Sequence, residues 1–599
     1  MIAALSRFSD VFCAAILAAS FATIQVLIGG TRLLFSLPAY GLLAVTAVVS
    51  VISTWRAKPQ PHQICLISAA AFFGYVLLRA ILSPVDYLSR PDIYSVLGCL
   101  LVYFFTACIF TDARQRVWLL LFLLALATVH VGIGAIQFRD GSNFMLIPFL
   151  QRFDYGRRAS GLYVCPNHLA GLLEVLGIFG LSIAWWGRLP VWVKLLALYG
   201  AGVCYIGLLL SVSRGGYVSS AASLLVFFTL TLLVLRRTAR QTFLRIGELS
   251  VAAAWLVLIF GSFYSSRMLF LSDRPKVTEE TNELRGDLWN AALQQFKLEP
   301  VLGTGSGTYL FYGRQFRTPR MVMDPVEVHN DYLHLLAEYG ITGAVGFLIF
   351  LGAHSFSGWK DFQRLGPKRA AVSPHLTSNR LALQIGALAA IGAYLFHSAF
   401  DFNLHIPANA VLLAFAFGLL ANPGIWRDSK LAVPARSLVA WRLVLPVLGI
   451  IVAIQCVRLL PAEYWAERAR VALRDNNPRM SADYAVRALA TEQRNPDIYY
   501  YLGRAGILEG NAVTDPQKRA FLFEVAIRAF EKGWALVRQD ETFPIELAAI
   551  YDALERFSEA EWMYDEAIRL DPKSAEMREY YEVHLEKWRK PNLAAQPFD

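Results

Sequence analysis

Residues 326–351 read VEVHNDYLHLLAEYGITGAVGFLIFL. The first half of this stretch holds His329, Asn330, Asp331, His334 and Glu338. From Gly340 the stretch becomes apolar and stays so through Phe347, Leu348, Ile349, Phe350 and Leu351, with no linker between the halves. A titratable segment fused to a bilayer-compatible helix places reactive side chains at a membrane surface. The rest of the chain is read by what it brings to that place.

Of the 599 residues, 56% are hydrophobic and 17% charged, and mean hydropathy is +0.43. Soluble domains carry about 25% charged residues, so the deficit indicates a polytopic membrane protein with an added soluble part. Thirteen apolar runs of spanning length are predicted between residues 11 and 460. The expected fold class is all-α: a polytopic helical membrane protein of about 12–13 spans with a C-terminal helical-repeat domain. Residues 1–264 are expected to hold spans one to nine, with the ninth at 247–264. Residues 265–339 form a large loop, 340–460 hold spans ten to thirteen, 461–591 the repeat domain and 592–599 a disordered tail. The repeat reading rests on Ile545 to Pro572, where Leu547, Tyr551, Ala560, Tyr564, Ala567 and Pro572 follow a tetratricopeptide-like pattern. Such arrays bind partners on a concave face.

The net charge of +10 lies mostly in short connections between apolar runs, which is a mark of orientation rather than of nucleic-acid binding. Placing Arg56, Arg114, Arg188, Arg236, Lys360 and Arg427 inside puts the large loop and the C-terminal domain outside. Neither ATP nor nucleotide sugars are available there, so a donor must carry its own leaving group. The seven cysteines lie mostly in apolar runs and have no CxxC spacing.

Some basic residues break the inside rule: Arg79, Arg152, Arg157, Arg158, Arg285, and Arg214 in Ser213-Arg214-Gly215-Gly216. Each could be a snorkelling or solvated arginine. Arg214, in a very short turn between two apolar helices, is poorly placed to be idle. Guanidinium forks suit phosphate oxygens, so several outside arginines point to an anionic group such as a diphosphate. Residues 281–299 read as an amphipathic helix with Leu284, Leu288, Ala291 and Ala292 on one face. Gly303-Thr-Gly305-Ser-Gly307 reads as a tight turn, or as amides that touch an anion. His329 and His334 are five apart and not in HExxH, so no metal site is expected. His329, at the junction of loop and helix, suits acid/base work. His397, Asp401, Asn403 and His405 form either a helix-end cap or a group that positions substrate.

Ser213-Arg214-Gly215, Arg285 with Trp289, Pro300-Val-Leu-Gly303, and His329-Asn330 followed by Gly340-x-x-Gly343 together resemble the superfamily of O-antigen ligases, Wzy-type O-antigen polymerases and bacterial protein O-oligosaccharyltransferases. The stretches 158–172, with Arg158, Asn167 and His168, and 397–408, with His397 and Asp401, are also similar to members with a C-terminal repeat domain. The resemblance covers about residues 10–460. It implies a metal-independent glycosyltransferase, without cofactors, in the bacterial inner membrane. The enzyme would move a glycan from a polyprenyl-diphosphate-linked donor to an acceptor hydroxyl at the outer face. Arg214 and Arg285 would hold the diphosphate and His329 would orient or deprotonate the acceptor. Arg79, Arg158, Asn167, His168, Asn330, His397 and Asp401 are the expected substrate-binding residues. Around Arg79 the span matches the family but the motif does not. Ligase, polymerase and protein glycosyltransferase stay open, as does the acceptor: lipid, glycan or protein. So does a non-enzymatic glycan-lipid exporter or scaffold that docks a protein partner through its repeats.

Overall fold

A computed structural model describes residues 2–594, apart from positions 56, 148, 149, 151, most of 237–274, 322, 323, 371–376 and 427–434. The expected ninth span at 247–264, apart from positions 247 and 259, and the end of the expected tail, 595–599, lie outside the described residues. The described part is helical, with one isolated bridge between Ile28 and Tyr163 and no strand.

The membrane part comprises α1 (Ile2–Val26), α2 (Leu33–Val49), α3 (Gln63–Ile81), α4 (Asp86–Cys108), α5 (Ala113–Asp140), α6 (Pro166–Trp186), α7 (Val191–Ser211) and α8 (Arg214–Leu235). After the loop helices α9 (Pro275–Leu298) and α10 (Tyr309–Gln315) come α11 (Asp331–Leu365), α12 (Asn379–His397), α13 (Pro407–Ala421) and α14 (Ala435–Arg474). Eleven helices among the described residues are long and apolar enough to cross a membrane. The chain is thus a multi-pass membrane protein.

The expected span at 406–421 is a different kind of element. Its helix, α13, has 15 residues, about 22 Å at 1.5 Å per residue, against a hydrocarbon thickness of about 30 Å. Nearly every residue of α13 is buried. It sits inside the bundle against α4 and α12, so lipid thickness does not set its length. A 3-10 turn, Asn403–His405, precedes it and brings polar groups down into the bundle. By contrast, α7 turns Trp192, Leu195, Leu196 and Tyr199 outward, as a lipid-facing helix must.

α11 is broken where the titratable half meets the apolar half. Gly340 has φ 64° and ψ −169°, a conformation that essentially only glycine adopts. The break frees the carbonyls of Ala337 and Glu338, which accept from the amides of Thr304 (3.2 Å) and Gly305 (3.0 Å). In exchange, the amides of Ile341 and Thr342 donate to Pro300 (2.9 Å) and Val301 (3.1 Å). These four backbone groups at the kink are thereby satisfied, as burial demands. The Gly303–Gly307 segment is a tight turn clamped onto this kink. A Cβ at Gly303 would lie 2.3 Å from the Glu338 carbonyl carbon.

The amphipathic loop helix forms as expected, over a longer range. Leu288, Ala291 and Ala292 of α9 pack with Tyr309, Val328 and Ala337, and Leu284 lies against them. The last membrane helix does not stop at residue 460. α14 runs through Pro461 to Arg474 and leads directly into α15 (Pro478–Leu489), α16 (Pro496–Ala512), α17 (Pro516–Leu536), α18 (Thr542–Ala553), α19 (Phe557–Leu570) and α20 (Ala575–Ala594). Consecutive members of this series pack against one another. Val85 and Phe311 enter the same apolar cluster as Phe523, Phe530 and Phe543, so the C-terminal helices rest on the bundle end and the loop. Arg314 reaches Asp324 (2.9 Å), Asp540 (3.0 Å) and Glu541, and Arg317 reaches Asp571 at 2.7 Å.

Candidate active site

His329 is held by its backbone before its side chain is considered. It has φ +54°, the left-handed region that costs an L-residue about 1–2 kcal/mol. Neighbouring bonds hold it there. The Asn330 side chain caps α11 by accepting from Tyr332 N and Leu333 N, both at 3.0 Å. Asn330 Nδ2 donates to Ala399 O at 3.1 Å, and Asp331 N to Ser398 O at 2.8 Å. Trp289 Nε1 donates to the carbonyl of His329 itself. The start of α11 is thus tied to the end of α12, which brings His329 to Asp401.

His329 Nδ1 lies 3.3 Å from Asp401 Oδ1, with the histidine side chain 33% exposed and the aspartate 2%. Burial alone would raise the Asp401 carboxyl. The imidazoles of His329, His397 and His168 outweigh burial and hold it well below the usual carboxylate range. Asp401 therefore stays ionised beneath an accessible imidazole. Phe402 meets the rings of His329 and His168 edge-on, with centroids 4.7 and 4.9 Å away. His168 is buried, and both its ring nitrogens lack a hydrogen-bond partner among the described residues.

Arginines border this group. Arg158 donates to Asn167 Oδ1 at 2.9 Å and to the carbonyl of Ser211 at 3.0 Å. It is thereby fastened to the α7–α8 turn that presents Arg214. That turn is sharp: Val212 has φ +52° and the Ser213 side chain caps α8. Arg214 lies within electrostatic reach of Arg285 and Arg158, and Arg158 within reach of Asp401. Three like charges drawn together repel one another unless an anion joins them. Gly215 lets the turn approach His397, since a Cβ there would lie 3.4 Å from the imidazole Nε2.

The structure thus brings His329, Asp401, His168, His397, Arg158, Asn167, Arg214 and Arg285 to one end of the bundle, with Asn330 capping the helix beside them. Arg79 is placed elsewhere. Its Nη2 donates to Gly303 O at 2.5 Å, fixing the clamped turn, and no contact joins it to the other arginines among the described residues. Glu174 was not picked out from the sequence. It is buried in α6, with His397 Nδ1 3.0 Å from its Oε1 and Ser219 donating to it. A carboxylate within an apolar helix was the available signal.

A second polar group lies deeper. His334 and His405 stack with centroids 4.3 Å apart, and Glu327, Asp331 and Glu338 surround them. Burial opposes the charge of His405, but Glu327, Asp331 and Asp92 raise its pKa to about 10. An apolar cavity of about 180 Å³, lined by Phe72, Phe73, Phe347 and Phe417, also borders His334 and His405.

Residues 196–348 match the family model Wzy_C, described as O-antigen ligase. No curated protein matches the chain. The match runs from α7 to the middle of α11 and includes Arg214, Arg285 and His329. The family is of the membrane glycosyltransferase or ligase type, which supports an enzyme. The chain is a multi-pass membrane protein whose residues 196–348 match the O-antigen ligase family model.

Proposed function

We propose that the protein is a glycan ligase of the bacterial inner membrane, acting at the outer face on a polyprenyl-diphosphate-linked donor. The observation that carries this reading is the juxtaposition of Arg158, Arg214 and Arg285 with the His329–Asp401 pair. In the reaction, an acceptor hydroxyl attacks the anomeric carbon of the donor glycan. The bond from that carbon to the diphosphate oxygen breaks, and the electron pair leaves with the diphosphate. Arg214 and Arg285 neutralise the charge that develops there. With Nδ1 turned to Asp401, His329 presents Nε2 to the acceptor and takes its proton. Asp401 fixes the ring and stabilises the imidazolium, as a carboxylate does beneath a general-base histidine. The donor carries its own leaving group, so no nucleotide or cofactor enters the step.

The basic inner connections favour an orientation with the site and the C-terminal helices outside. Those helices suit a tetratricopeptide-like reading and a role in receiving a protein partner or acceptor. Polymerase and protein-glycosyltransferase activities differ from ligation only in the acceptor, so the deciding experiment varies it. Purified full-length protein is incubated with a lipid-linked glycan and, in turn, a lipid, a glycan and a protein acceptor. Single transfer to the lipid supports the ligase; a ladder of glycan products or a glycosylated protein replaces it with one of the other two. Equal transfer by wild type and His329→Ala would remove the proposed role of His329, and no transfer by the wild type to any of the three acceptors would leave an export or scaffold role.

A further inference from the structure

The deeper group around His334 and His405 takes no part in the proposed transfer, yet its geometry is specific. The ligand atoms of Glu327, His334 and His405 all lie within 4.8 Å of one another. His334 is buried, and its Nδ1 has no hydrogen-bond partner although Glu327 Oε2 is 3.4 Å away. The opposite nitrogen, Nε2, lies 3.3 Å from Glu338 Oε1. Glu338 is fixed in turn, accepting from the amides of Gly307 and Tyr309 at 3.0 Å each. His405 repeats the arrangement. Its Nδ1 is 3.1 Å from Asp331 Oδ1, which leaves Nε2 for another partner. Each imidazole is therefore backed by a carboxylate on one nitrogen, and one ring nitrogen of each lies near a Glu327 oxygen; binding an ion there releases the proton that His405 carries. A carboxylate behind each histidine orients the ring and raises its basicity, as in metal sites.

We propose that Glu327, His334 and His405 bind one divalent transition-metal ion of the zinc class. Two imidazoles and one carboxylate form a donor set suited to such an ion. Metal–ligand bonds of about 2.0–2.2 Å bring ligand atoms closer together than they are here, and Glu327, on the loop before α11, is the ligand free to close in. Both histidines edge the apolar cavity, which provides an approach. The ion is structural. Glu327 stands two residues before His329 and His405 four residues after Asp401, so the ion ties the loop bearing the imidazole to the turn bearing its carboxylate. No step of the transfer passes through it. The inference holds whether or not the proposed transfer is correct.

The test uses untagged full-length protein in detergent, stripped with chelator and dialysed against Zn²⁺ or Co²⁺. We expect one ion per chain by elemental analysis and, for Co²⁺, the visible absorption of a four- or five-coordinate site. Glu327→Gln and His405→Gln should abolish the absorption and bring the metal content to background. Asp331→Asn, which removes only a backing carboxylate, should weaken affinity by about 10–100-fold. His329→Ala should leave binding intact, which separates this site from the proposed active site. Wild-type protein that binds no stoichiometric metal overturns the proposal, as does an ion retained by the Glu327→Gln/His405→Gln double variant. Should those variants fail to fold, the wild-type Co²⁺ spectrum decides alone: a six-coordinate, water-like spectrum overturns the site. Zn²⁺ should also raise the thermal unfolding midpoint of the wild type and not of His405→Gln.

Discussion

Two histidine–carboxylate groups flank the start of α11, and they differ in everything except residue type. At one, a single imidazole stands over a single buried aspartate, one-third exposed, with arginines at its border. At the other, two imidazoles are stacked in the interior among carboxylates and touch no arginine among the described residues. The first arrangement can exchange a proton with something that arrives and hold an anion beside it. The second has no arginine or lysine to hold an anion among the described residues, and its paired imidazoles and carboxylates suit a structural role or an ion. The environment supplied by neighbouring helices, rather than the presence of histidine, assigns the role.

Four experiments test that contrast, from the largest effect to the smallest. His329→Ala is expected to lower transfer by about 10²–10⁴-fold at unchanged thermal stability; a comparable loss from His334→Ala in stably folded protein would erase the distinction. Glu338→Gln strikes the other group. Breaking a buried pair costs about 3–5 kcal/mol of stability, read as a lowered denaturation midpoint, while turnover per folded molecule stays near wild type. Arg214→Ala should reduce turnover by about 10²–10³-fold and weaken donor binding. Arg214→Lys should recover part of both, because charge survives without the fork.

The smallest effect concerns the contact between the loop and the C-terminal helices. Arg317→Ala leaves Asp571 without its 2.7 Å partner and should loosen docking by about 1–3 kcal/mol, seen as faster amide exchange in α10 and α19. Acid should act in the same direction. Burial opposes the charge of Asp324, but Arg314 and Arg317 outweigh it and hold its carboxyl below its ordinary value. A depressed carboxylate contributes stability that is fully present above its unfolded pKa of about 3.9. That contribution is lost as pH falls through the lower folded value.

How much was legible follows from how far each residue's partners lie along the chain. The spans α1–α8 could be read because length and apolarity are local properties. Arg214 could be read because a turn as short as Val212–Ser213 leaves an arginine few alternatives. The His397–Asp401 spacing was local as well. Glu174 and His405 were harder: their partners lie 223 and 74 residues away, respectively, and no spacing rule reaches that far. Arg79 carried the right charge in a suitable span, yet a backbone carbonyl of the loop claims it. α13 looked like another crossing because an apolar run does not reveal whether lipid or protein will surround it. The ligase domain match covers Arg214, Arg285 and His329; His168, Asp401 and His397 join them only through folding.

The unbroken course of α14 through Pro461 matters to anyone who would graft this C-terminal module onto a shorter relative. A junction at residue 460 cuts through a helix, and the two stumps would have to resume one helical phase. Moving the junction past Arg474 keeps the rod whole, but a graft made there still lacks its seat unless Val85, Phe311, Arg314 and Arg317 travel with it. The module therefore depends on the loop beneath it and on the α3–α4 connection that carries Val85, although more than a hundred residues separate it from either in the chain.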